Sequence, residues 1–127
     1  MSISKNYAVF GLGRYGRAVA KELVDNGAEV IVVDSDSKTV EEFSGDFPIC
    51  KCADVTEQEA IKRLGISNID VVVIAITDSF ETSVMATMLC KEAGVKQVIV
   101  KCSDELHRTI LEKVGADMVV LPEKESG

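Results

Sequence analysis

The stretch Phe10-Gly11-Leu12-Gly13-Arg14-Tyr15-Gly16-Arg17, FGLGRYGR, decides how the rest of this chain is read. Its glycines fall at the spacing G-x-G-x-x-G, which alone is weak evidence because glycine is common at turns. The context adds weight. Tyr7-Ala8-Val9-Phe10 is a short run of strand character, and Arg14 to Asn26 carries Ala18, Val19, Leu23 and Val24 as a helical stripe closed by Gly27. In such a strand–turn–helix, Gly11 permits the tight turn, Gly13 lets a phosphate approach the backbone, and Gly16 lets helix and strand pack closely. Leu12, Arg14 and Tyr15 complete the turn, and the N–H groups at the helix start then face an anion.

A dinucleotide-type turn has a second requirement, an acid at the end of the next strand. Glu29-Val30-Ile31-Val32-Val33 reads as that strand, and Asp34 follows it, 18 residues after Gly16. A carboxylate there accepts hydrogen bonds from ribose hydroxyls and repels a 2′-phosphate. Asp34 could instead cap the following helix, Ser35 to Ser44, although Ser35 or Asp36 would serve as well. Two elements in register make nucleotide binding the favoured reading.

Working outward, short apolar runs alternate with helix-like segments. Pro48 to Lys51 is a third strand; Thr56 followed by Glu59 predicts a capping box opening a helix that ends near Gly65. Asp70 to Ile76 is apolar almost throughout, as a central parallel strand should be. A helix over Ser79–Ala93, a strand over Gln97–Val100, a helix over Asp104–Val114 and a strand over Met118–Leu121 follow. Alternating βα units of this kind predict an α/β fold, a Rossmann-like doubly wound parallel six-stranded sheet forming a single domain. The chain stops just after the sixth strand, so residues 1–127 read as one domain excised from a longer protein.

Composition bounds the partners. A net charge of -7 disfavours nucleic acid and anionic membrane. The first residues are polar and the apolar runs are too short to span a bilayer, so direct membrane insertion is not expected and the location is read as cytoplasmic. Cys50, Cys52, Cys90 and Cys102 form no C-x-x-C pair and read as reduced structural thiols.

Further ligand contacts are sought at the carboxyl ends of strands. Asp54 follows the third strand and is placed to accept from an adenine amino group. Thr77 and Asp78 follow the fourth strand and could line the ligand's middle, while Lys101 ends the fifth and could reach a phosphate or a partner subunit. Plainer roles, helix capping for Asp54 and Thr77 and a solvated charge for Lys101, weigh about equally. Arg14, inside the turn, is the natural cation for bound phosphates. No Ser/His/Asp grouping and no nucleophile beside a base is found, and His107 falls in an outer helix, so an enzyme is not expected. Helix Ser79–Ala93 is apolar on nearly all sides, far beyond the ~100° stripe that packing on a sheet demands. It predicts subunit association through that helix and Asp104–Val114.

The turn, Val33-Asp34, Ala53-Asp54-Val55-Thr56, Val73-Ile74-Ala75-Ile76, Lys113-Val114-Gly115-Ala116-Asp117 and Pro122-Glu123-Lys124 together resemble the RCK domain, also called KTN or TrkA-N. The likeness spans essentially the whole chain and is strongest to the KtrA-type gating subunits of bacterial Ktr potassium uptake systems. It implies a Rossmann-like domain that binds ATP, ADP or NAD(H) as a regulatory ligand. It further implies a homodimer assembling into an octameric ring that docks on a potassium-translocating membrane subunit, and a carboxyl-terminal domain beyond this sequence. Carried over by the same resemblance, Arg14 is the phosphate contact, Asp34 the ribose acid, and Glu123 a candidate ligand for a divalent cation. The alternatives are an NADH/NAD+ redox sensor of the same fold, or the cofactor half of a dehydrogenase or methyltransferase.

Overall fold

The computed structural model describes residues 5–122. Strand β1 (Asn6–Phe10) runs into the glycine turn and helix α1 (Arg14–Asp25). Then come β2 (Glu29–Asp34), α2 (Ser37–Phe43), β3 (Ile49–Cys52), α3 (Gln58–Arg63) and a 3-10 turn (Ile66–Asn68). The second half holds β4 (Val71–Ile74), α4 (Phe80–Glu92), β5 (Gln97–Lys101), α5 (Glu105–Val114) and β6 (Met118–Val120). All pairings are parallel, in the order β3-β2-β1-β4-β5-β6. The expected doubly wound sheet is therefore what forms.

That order reverses at β1, where β1 pairs with β2 on one side and β4 on the other. Helices α1 and α2 bury one face of the sheet through Ala20, Leu23 and Phe43 against Val9, Val30 and Val32. Helices α3, α4 and α5 bury the other through Ile61, Ala86, Cys90 and Leu111 against Phe10, Val72, Val98 and Val100. The central strand β4 is buried along its whole length, which is why its sequence shows no alternation. With helices leaving to opposite faces, a crevice opens above the carboxyl ends of β1, β2 and β4, where open α/β sheets bind ligands.

Local chemistry moved some boundaries. The expected Thr56–Glu59 capping box does not form: Asp54 Oδ1 accepts from both the Thr56 N–H (2.9 Å) and its hydroxyl (2.6 Å). The helix starts only at Gln58, with Glu57 at its N-cap and no side-chain cap. Strand β4 is shorter than the apolar run Asp70–Ile76, although the Ala75 N–H still donates to Phe10 O (2.7 Å). The four cysteines are free, and burial pushes the Cys90 thiol up to about 12.

Candidate functional site

The glycine turn is built by three close approaches. Gly11 has φ +102°, and a Cβ there would come within 2.7 Å of the Ala75 carbonyl oxygen at the end of β4. A Cβ on Gly16 would collide with the Gly11 carbonyl oxygen. Both positions need glycine for packing alone. Gly13 is different, since a Cβ there meets nothing within 4 Å. Its surroundings leave open the space a bound group would fill.

Asp34 ends β2 beside this turn. Its Oδ2 accepts from Leu12 N–H (2.8 Å) and its Oδ1 from Asp36 N–H (2.9 Å), while Gly11 N–H donates to Val33 O (2.8 Å). Asp36 caps α2, accepting from the Lys38 N–H and the Thr39 hydroxyl. Asp34 is thus not the cap. Each of its oxygens holds one backbone N–H and retains a lone pair, which is the arrangement a ribose diol needs.

The crevice above has a volume of about 870 Å³, within the range of small-molecule sites. Of the residues singled out from sequence, Gly11, Leu12, Gly13, Asp34, Ser35, Asp54, Thr77 and Asp78 line it. Hydrogen bonds from Thr56 hold the Asp54 carboxyl below its ordinary range, so it stays an acceptor. Gly16 packs beneath the turn and does not line the crevice.

Arg14, Tyr15 and Lys101 also stand outside the lining. Arg14 is exposed at the first position of α1. The Lys101 ammonium sits 4.6 Å from the Tyr15 ring centroid, a cation–π pair that ties the end of β5 to the turn. His107 stacks on Phe80, with ring centroids 3.8 Å apart. Glu123 lies outside the described residues.

The sequence reading missed Arg17, which does line the crevice. Its Nη1 donates to Leu12 O (2.9 Å) and its guanidinium lies 4.4 Å from the Phe43 ring centroid. The available signal was weak: a cation one residue past the last glycine, on the helix turn that faces the anion.

The fold and turn define a Rossmann-like domain of the nucleotide-binding type. The chain belongs to the TrkA-N domain family, whose model matches residues 7–122. It is 42% identical to Ktr system potassium uptake protein A of Vibrio alginolyticus and 36% identical to Ktr system potassium uptake protein C of Bacillus subtilis, in each case over 97% of this chain. It spans about half the length of these curated relatives, 56% of each. Among solved structures, the TrkA-N domain of inner membrane protein YbaL from Escherichia coli superposes with a TM-score of 0.84 at 15% identity, covering 98% of this chain and 93% of that one. The GsuK channel bound to NAD and GsuK bound to ADP share the fold at TM-scores of 0.81 and 13% identity, covering 93% and 94% of this chain and 21% and 31% of theirs. No helix among the described residues is long and apolar enough to cross a membrane.

Proposed function

We propose that this chain is the nucleotide-binding part of a cytosolic gating subunit for a potassium transporter or channel, and that an adenine nucleotide acts on it as a signal, not as a substrate. The observation that carries the reading is the pairing of Gly13 with Asp34. One leaves room for phosphate against the turn, and the other offers a diol acceptor already oriented by two backbone N–H groups. Ser35, Asp54 and Thr77 line the same space and extend the contacts toward the adenosine and the middle of the ligand. The relatives' printed role in potassium uptake supplies the context.

The reading covers ATP, ADP and NAD(H), with support for two of these from a distant member of the same fold solved with NAD and with ADP. Ligands change such an assembly only through unequal affinity for its shapes. Subunits pair through α4 and α5 into a homodimer and then an octameric ring. There Arg14, exposed on its own chain, reaches an added phosphate across a subunit boundary and so tells ATP from ADP. The ring then pulls on the membrane subunit that translocates potassium. A divalent cation near Glu123 would further compensate the phosphates.

Calorimetry with ATP, ADP, NAD+ and NADH tests this directly. Wild-type protein binds at least one of them. Gly13→Ala keeps the fold, because its Cβ meets no protein atom, yet loses about tenfold or more in affinity where phosphate must approach. Asp34→Asn weakens binding by a similar factor, about the value of a hydrogen bond to a charged group. Undiminished binding in both variants would overturn the assignment, and turnover of the ligand at a useful rate would overturn the signalling role.

A further inference from the structure

We infer that Arg17 sets how much negative charge the crevice accepts, and that it is the fixed cation admitting a diphosphate or triphosphate on an adenosine ligand. The inference rests on the nucleotide-binding reading above and adds to it the residue that makes the phosphates tolerable.

The side chains lining the crevice are heavily acidic. Asp34, Asp36, Glu42, Asp54 and Asp78 all line it, and among the described residues Arg17 is the one basic side chain that does. Adenosine presents no charge to such a wall, whereas ADP brings several negative ones. Coulomb repulsion across the crevice would oppose each of them unless a cation is held close by. Backbone N–H groups at the start of α1 help, but they carry only partial charge.

Arg17 is held to stay. Its Nη1 donates to the Leu12 carbonyl (2.9 Å), and its guanidinium lies against the Phe43 ring of α2. The Leu12 peptide unit is thereby gripped at both ends, its N–H by Asp34 and its carbonyl by Arg17. A guanidinium has five N–H donors, so one bond to Leu12 leaves the others for ligand oxygens. Because the planar fork is already fixed by stacking, little rotamer entropy remains to be lost on binding. Arg14 does not duplicate this role within one chain, being exposed and outside the crevice.

A purely structural Arg17, serving only to join the turn to α2, would be indifferent to the ligand's charge. That difference gives the test. Adenosine, ADP and NAD+ are titrated by calorimetry into wild-type protein, Arg17→Gln and Arg17→Lys at low and high salt, with thermal unfolding to verify folding. Arg17→Gln is expected to lose about tenfold to hundredfold in ADP affinity and less than about threefold for adenosine. Arg17→Lys, which keeps the charge, recovers most of the ADP affinity. Added salt weakens ADP binding to wild type and no longer does so in Arg17→Gln, where only acids remain to be screened.

Equal losses for adenosine and ADP, or no loss for either, overturn the inference and leave the nucleotide site standing. Wild-type protein that binds none of the three overturns the site and the inference together. Should Arg17→Gln fail to fold, Arg17→Met carries the same test with a neutral apolar stem: a loss as large for adenosine as for ADP counts against the charge role, and a loss confined to ADP supports it.

Discussion

At the carboxyl ends of β1 and β2 the groups that shape the glycine turn are paired: Leu12 N–H on Asp34, Leu12 O on Arg17, Gly11 N–H on Val33 O. Along α4, α5 and β6 the opposite holds. Met85, Met88, Leu106, Ile110 and Met118 stand in solvent, Leu106 at 72% exposure. The first region has its shaping groups satisfied and an open crevice above them. The second presents apolar side chains that a protein surface would cover, and clustered exposure of this kind marks association sites. The function proposed above requires both, one surface to receive a ligand and another to pass its effect to a neighbouring subunit. Three experiments can break or sharpen the contrast.

The largest effect is expected at Gly16. Its substitution by Ala drives a Cβ into the Gly11 carbonyl oxygen, which is rigid backbone and cannot give way as a flexible side chain would. Destabilisation of about 3 kcal/mol or more is expected, visible as a lost or much lowered thermal transition. Gly13→Ala, three residues earlier in the same motif, should unfold at nearly the wild-type temperature. If Gly16→Ala is as stable as Gly13→Ala, the turn is looser than this packing requires.

A smaller effect on stability, and a large one on assembly, is expected at the apolar flank. Leu106→Asp with Ile110→Asp places charge on exposed and partly exposed positions of α5, where the monomer should lose about 1–2 kcal/mol. Sedimentation velocity should show self-association in wild type and its loss in the double variant, while ADP binding to the isolated subunit is unchanged. A wild type that stays monomeric at its highest soluble concentration would remove the distinction between the two surfaces.

What could be read from sequence follows the range of the forces involved. The turn and Asp34 were legible because tight local geometry demands particular residues at fixed spacing. The inward face of α4 was not. Its apolar residues spread round the helix, and the side that meets the sheet is the small one, Ser83, Ala86, Thr87 and Cys90, all buried. The Ser83 hydroxyl donates to Ile76 O (3.0 Å) and that of Thr87 to Ser83 O (2.7 Å), so polar atoms enter the core at no cost in lost bonds. Small side chains bring the helix close to β4, leaving Met85 and Met88 outside. Arg17 escaped notice because its meaning lies in Phe43, a contact between helices that periodicity does not encode. Thr56 misled because Asp54, two residues earlier, holds both its N–H and its hydroxyl in a turn, and the helix takes Glu57 as its N-cap.

The smallest effect concerns Asp117, which ties the exposed flank to the sheet. Its Oδ2 accepts from Val98 N–H (2.7 Å) and from the Lys91 ammonium (3.0 Å), joining α4, β5 and the start of β6. Burial pushes its carboxyl up, but the Val98 bond and the Lys91 charge outweigh that and hold it below its ordinary 3.8. A native value below the unfolded one means that the stabilisation is fully present above about pH 4 and fades as pH falls through the native value. With the Asp117 side chain 38% exposed, solvent screening limits the pair to less than about 1 kcal/mol. Asp117→Asn keeps an acceptor for Val98 N–H and removes the charge. Its melting temperature should sit slightly below wild type at neutral pH and converge with it as pH falls through the native value, where the wild-type carboxyl is itself protonated. Molar salt should narrow the neutral-pH gap. A deficit that persists unchanged into acid would assign the effect to hydrogen-bond geometry, and the flank would then be held without help from charge.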